Sequence, residues 1–132
     1  MIYPKLNTIN YKSKIIFVKK KIFCFDIDNT ICITKGNNYK LSKPIKKNIS
    51  ALNSLFDNGH KVIIFTARGM NTFKGDLKLI EKNYMEFTKN QLNSWGVKYT
   101  KLLFGKPSFD FLIDDKSIFY KKNWPKILKK LD

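Results

Sequence analysis

Arginine and histidine are almost missing from this chain, which has one of each, Arg68 and His60, in 132 residues. Cysteine is nearly as scarce. Cys24 and Cys32 make neither a disulfide framework nor a zinc-ligand spacing. Long hydrophobic runs are absent as well. None approaches the roughly 20 residues that cross a bilayer, so no membrane partner is expected. Ile15-Ile16-Phe17-Val18 is followed by three lysines and is too short for a signal-peptide core. What remains is rich in apolar and aromatic residues, 43% hydrophobic with 11 Phe and 6 Tyr, which excludes a disordered chain. The length suits one domain that buries roughly two-thirds of its unfolded surface. Together these features predict a reduced, soluble, cytoplasmic domain of α/β size.

Acidic side chains are also few, 10 against 26 basic ones, for a formal net charge of +16. Such a balance suits a polyanionic partner. All but one of the basic residues are lysine, however, and the chain is rich in Asn, Ile, Phe and Tyr, residues that AT-rich codons supply. Proteins that read bases usually use arginine forks. Compositional bias and a functional polyanion surface therefore both stand as explanations of the charge.

Residues 1–20 show no clear period and read as an N-terminal extension, with the domain proper over 21–132. The run Lys21-Ile-Phe-Cys-Phe-Asp-Ile-Asp28 is almost continuously apolar, the pattern of a buried parallel strand. Gly36-Asn37-Asn38 marks a turn between two strand-like pieces, Thr30–Thr34 and Tyr39–Leu41, predicting a small flap. Ser42 is a candidate N-cap for a helix in which Ile45, Ile49, Leu52, Leu55 and Phe56 line one face, ended by Asn58-Gly59. Val62–Thr66 reads as a second buried strand and Leu77–Trp95 as a helix closed by Gly96. Val97–Phe104 and Phe109–Ile113 read as third and fourth strands, and Trp124–Leu131 as a lysine-rich helix. Strands alternating with helices predict a parallel sheet with helices on its faces.

The aspartates carry the chemistry. Asp26 with Asp28, and Asp114 with Asp115, form two pairs, each at the C-terminal end of an apolar strand. Ligands of open α/β sheets bind at that edge. A lone aspartate at a strand end is often a turn or helix cap. Two crowded pairs in so basic a chain instead call for a cation, and clustered hard oxygens suit Mg²⁺.

Further residues complete the set. Asp26-Ile27-Asp28-Asn29-Thr30 reads Asp-x-Asp-x-Thr; Thr66 ends the second strand; Gly105-Lys106-Pro107 puts a lysine on a loop; Asp114-Asp115 closes the series. In this order they resemble the four motifs of the haloacid dehalogenase (HAD) superfamily of phosphatases, over residues 21–119. Phe65-Thr66-Ala67-Arg68-Gly69, Gln91-Leu92-x-x-Trp95-Gly96-Val97-x-Tyr99 and Gly105-Lys106-Pro107 resemble more narrowly the small capless members associated with capsule or lipopolysaccharide biosynthesis.

Alternate residues of a strand share a face, so Asp26 and Asp28 fall on one side of the strand end. That places Asp26 to attack phosphorus and Asp28 to serve as acid and base. The resemblance implies that Mg²⁺ would be held by Asp26, Asp28 through its carbonyl, Asp114 and Asp115. Thr66 and Lys106 would hold phosphoryl oxygens, and the Arg68 fork suits either the same phosphate or a structural ion pair. Cys24 reads as a small core residue, Cys32 as a flap residue open to exposure, and His60 as packing at the opposite edge.

The expected fold is a Rossmann-like three-layer α/β HAD core with no inserted cap. By that analogy the first strand lies between the second and the fourth, bringing both aspartate pairs together. An open site either accepts a large substrate or borrows a second subunit as its lid, which would make a homo-oligomer. The expected function is Mg²⁺-dependent phosphomonoester hydrolysis of a small phosphorylated sugar or related metabolite. A phosphatase of nucleotides or nucleic-acid ends, and a non-catalytic basic binding module on the same fold, are the alternatives.

Overall fold

The computed structural model describes residues 7–11, 14–119 and 123–132. The expected extension thus lies partly outside the described residues. Its described part is an antiparallel hairpin, β1 (Asn7–Tyr11) and β2 (Lys14–Val18), forming a sheet of its own.

The central sheet has three parallel strands. β3 (Ile22–Phe25) is followed by a flap in which two short strands, β4 (Cys32–Ile33) and β5 (Lys43–Pro44), pair antiparallel around a 3-10 turn at Tyr39–Leu41. Then come α1 (Lys46–Asp57), β6 (Lys61–Thr66), α2 (Leu77–Ser94), β7 (Lys101–Phe104) and α3 (Trp124–Leu131). The strand order is β3-β6-β7, flanked by helices, with no inserted cap. Central β6 alternates as a half-buried strand should, with Val62, Ile64 and Thr66 inside. The core joins these to Phe25, Ile27 and Ile31, to Ile49, Leu52 and Leu55 of α1, Leu92 of α2, and Trp124 and Leu128 of α3.

Several expectations are corrected. Tyr39–Leu41 is a 3-10 turn and not a strand. Phe109–Ile113 forms no strand, and Phe111 and Ile113 are 88% and 98% exposed. An apolar run reports a tendency to be buried, but a strand exists only where a neighbour pairs its backbone. In consequence β3 is an edge strand rather than a central one, paired only with β6 among the described residues. Cys24 is therefore exposed instead of lying in the core, while Cys32 is buried under the flap, where its thiol lies 3.4 Å from Thr34 Oγ1. Ser42 does not cap α1, which begins after Ile45; its hydroxyl turns to Thr34 instead, 2.6 Å away. At the opposite edge His60 is buried, accepting at Nδ1 from the Lys21 amide and facing Asp132 at Nε2.

Candidate active site

The three parallel strands end side by side, and each delivers one polar group. Asp26 follows the last residue of β3, Thr66 is the last residue of β6, and Lys106 comes two residues after β7. Gly105 makes the turn between β7 and Lys106 at φ +93°, where a Cβ would also meet Leu77 at 2.9 Å. The Lys106 amide donates to the Thr66 carbonyl at 3.2 Å, carrying the β6–β7 pairing past the end of β7. The Lys106 ammonium then lies 3.6 Å from Asp26 Oδ1, with both side chains partly exposed. Burial raises the Asp26 carboxyl above its ordinary value, and Lys106 opposes that rise.

Thr66 is fully buried, and its hydroxyl accepts from the Arg68 amide at 3.2 Å. That turn sends Arg68 back beneath the site. Gly69 follows at φ +80°, where any Cβ would meet the Tyr84 ring at 2.9 Å, so the loop closes tightly on α2.

Asp28 sits at the root of the flap and is held from three sides. Arg68 Nη2 donates to Oδ1 and Nε to Oδ2, each at 2.9 Å. Thr34 Oγ1 donates to Oδ1 at 2.6 Å, and with that proton committed, Ser42 supplies the hydrogen between the two hydroxyls. Of the two readings of Arg68, the structural ion pair is the one formed: the side chain is sealed from solvent against a carboxylate rather than open to a phosphate. Its Nη1 donates to Thr88 Oγ1 at 3.3 Å and to Gln91 Oε1 at 2.8 Å. Thr34, Ser42, Thr88 and Gln91 are polar residues of this site that sequence reasoning did not single out for it. The scarcity of arginine was the available pointer, since the only one in the chain is buried at its most polar position.

The second aspartate pair does not join the first. Asp114 and Asp115 lie in the exposed stretch after β7. There the Lys116 amide, then Asp115, hold the Asp114 carboxyl below its usual range. Among the described residues no three His, Cys, Asp or Glu side chains converge as a metal site. Of the three carboxylates expected for Mg²⁺, Asp114 and Asp115 lie apart from Asp26, while the Arg68 fork engages the side-chain oxygens of Asp28 and not the carbonyl expected as the fourth donor.

The fold itself is shared. Over 86% of its length the chain is similar to a structural-genomics target from Vibrio cholerae, with a TM-score of 0.70, 25% identity and 100% of that protein covered. A chain of the Pnkp1/Rnl/Hen1 RNA repair complex is similar at 21% identity and a TM-score of 0.48, over 85% of this chain and 31% of that one. A second structure of the complex gives the same TM-score, with 34% of its chain covered, so this chain spans about a third of those proteins. No family model matches the sequence, and no curated protein matches it. The likeness to the Vibrio protein is one of fold: a small α/β domain with a central parallel sheet. Among the described residues no helix is long and apolar enough to cross a membrane.

Proposed function

We propose that this chain is a HAD-type phosphomonoester hydrolase of a small phosphorylated sugar or related metabolite. The observation that carries the reading is the pairing of Asp26 with Lys106 at a sheet's C-terminal edge, with Asp28 two residues on and fixed in place. A carboxylate beside a cation, open to solvent, suits attack on a phosphate whose charge the lysine offsets.

In the first step an Asp26 carboxylate oxygen forms a bond to phosphorus. The bond from phosphorus to the leaving oxygen breaks, and that oxygen takes its proton from Asp28. In the second step water gives a proton to Asp28 and attacks the phosphorus of the aspartyl-phosphate. Inorganic phosphate leaves, and Asp26 is regenerated as a carboxylate. Each proton transfer by a positioned side chain typically contributes about 10²–10⁴-fold.

The test is a screen of phosphorylated metabolites and of 3′- and 5′-phosphorylated oligonucleotides, with Mg²⁺ and in excess chelator. Release of phosphate from a small substrate, lost in Asp26→Asn, supports the reading, and activity lost on chelation adds Mg²⁺ to it. Beryllium fluoride should be trapped on Asp26. A phosphoenzyme or its mimic on any other residue would overturn the mechanism. Much faster hydrolysis of the oligonucleotides would replace the metabolite by a nucleic-acid end as the substrate class.

A further inference from the structure

We infer that Arg68 is a positioning residue, which fixes the Asp28 carboxylate so that a single lone pair of Oδ2 is left to handle the proton. The inference rests on the hydrolase reading above for its catalytic consequence, but its geometry stands on its own.

A carboxylate offers about four lone-pair sites on its two oxygens. Oδ1 accepts from Arg68 Nη2 at 2.9 Å and from Thr34 Oγ1 at 2.6 Å, which fills it, with the Cys32 thiol a further 3.7 Å contact. Among the described residues Oδ2 accepts only from Arg68 Nε, at 2.9 Å. One lone pair, on Oδ2, is therefore unclaimed. An aspartate bonded less completely would divide its basicity between two oxygens and several rotamers. This one presents one oxygen in one direction.

Arg68 is not available to a substrate phosphate. Four of its five N–H groups are spent on Asp28, Thr88 and Gln91. Its side chain is fully buried. The Tyr39 ring lies 4.9 Å and the Phe87 ring 5.5 Å from the guanidinium carbon, and cations favour such ring contacts. Gln91, which accepts from Nη1, donates through Nε2 to the Tyr39 carbonyl at 2.7 Å. The arginine is thus immobilised between α2 and the flap, and it transmits that rigidity to Asp28. A lysine would keep the charge but not the two-pronged geometry.

The experiment uses aryl monophosphates that run from a well-activated to a poorly activated leaving group, in the wild type, Arg68→Lys, Arg68→Met, Asp28→Asn and the double variant Arg68→Met/Asp28→Asn. A poor leaving group needs protonation and a good one does not. Misplacement of a reacting group by about 1 Å costs on the order of 10²-fold. Both arginine variants should therefore lose on the order of 10²-fold in kcat for the poorest leaving group and less than about tenfold for the best. Adding Arg68→Met to Asp28→Asn should change kcat by less than about threefold, since the group to be positioned is gone. An equal loss across all leaving groups, or a full further loss in the Asp28→Asn background, would overturn the inference in favour of a phosphate contact or a general structural role. Thermal unfolding of the same four variants needs no turnover. If Arg68→Met lowers Tm as much in the Asp28→Asn background as in the wild type, the fork itself is refuted. If the fork survives that test while the wild type hydrolyses no phosphomonoester, the hydrolase reading fails and the positioning of Asp28 stands as geometry alone.

Discussion

Lys106 reaches Asp26 across the end of the sheet, its ammonium 3.6 Å from Oδ1, although the two residues come from β-strands that are not neighbours. The contact spans the end of β6, whose Thr66 carbonyl holds the Lys106 amide. Replacing Lys106 by Met keeps the apolar stem and removes the charge. The expected loss in kcat/KM is on the order of 10²–10³-fold, the scale of removing one stabilising donor from a transition-state site. Steady-state kinetics of Lys106→Met beside Lys106→Arg would check it, the arginine variant recovering part of the rate.

Asp26 should show the opposite balance between stability and activity. Burial raises its carboxyl in the folded protein, so ionisation there is disfavoured relative to the unfolded chain. The resulting penalty is absent below the unfolded carboxylate pKa and is complete above the folded one. Asp26→Asn removes it. At neutral pH the variant should therefore unfold at a higher Tm than the wild type while losing turnover, a trade often found at active sites. The gap in Tm should close as pH falls through the carboxylate range. A variant less stable than wild type at pH 7, with the gap unchanged at low pH, would show that the Lys106 pairing outweighs burial.

Much of this site was legible because it depends on strand ends. Apolar runs located β3, β6 and β7, and Asp26, Thr66 and Lys106 lie at their ends or within two residues of them. Helix periodicity located α1 and α2, and the lysine-rich tail expected to be helical forms α3 with the same bounds, Trp124–Leu131. The misreadings share one physical origin: pairing is not encoded in the run that pairs. Phe109–Ile113 is as apolar as β6, yet no partner takes it up. The Asn7–Tyr11 and Lys14–Val18 hairpin mixes Ile with Asn and shows no marked period, yet its strands find each other. Arg68 stood between a phosphate and a structural ion pair because charge complementarity alone does not tell which anion a guanidinium meets. Burial decided it, and burial is a tertiary property. Cys24 and Cys32 exchanged environments for the same reason, one following β3 to the sheet edge and the other going under the flap.

Thr34 links the flap to the chemistry. It is nearly buried, donates to Asp28 at 2.6 Å and stands 2.6 Å from the Ser42 hydroxyl. Thr34→Val keeps the shape, strips Asp28 Oδ1 of a donor and leaves Ser42 without its acceptor. A buried polar group stranded in this way costs about 1–3 kcal/mol. Urea unfolding should show that loss for Thr34→Val, and a smaller one for Thr34→Ser, which retains the hydroxyl. A loss confined to Thr34→Ser, with none in Thr34→Val, would assign the cost to methyl packing and not to the hydroxyl.

The exposed stretch after β7 gives the sharpest contrast within one chain. Ile113 is 98% exposed and Leu52, in α1, is fully buried. Removing a side chain that buries nothing on folding changes stability by about 0.5 kcal/mol or less. Truncating a fully buried leucine to alanine costs about 2–5 kcal/mol. Ile113→Asn should therefore leave the urea midpoint within error of wild type, and Phe111→Ser should do the same, while Leu52→Ala shifts it well down. The free side of β3 makes this a discriminating measurement. Among the described residues no strand occupies that edge, and its backbone groups could accept one. If Ile113→Asn destabilises the chain on the scale of Leu52→Ala at every protein concentration, residues 109–113 are paired within the monomer, with β3 the edge available. If the loss appears only as protein concentration rises, the stretch is instead buried against a second copy, and size-exclusion chromatography of wild type and variant would show the difference in mass.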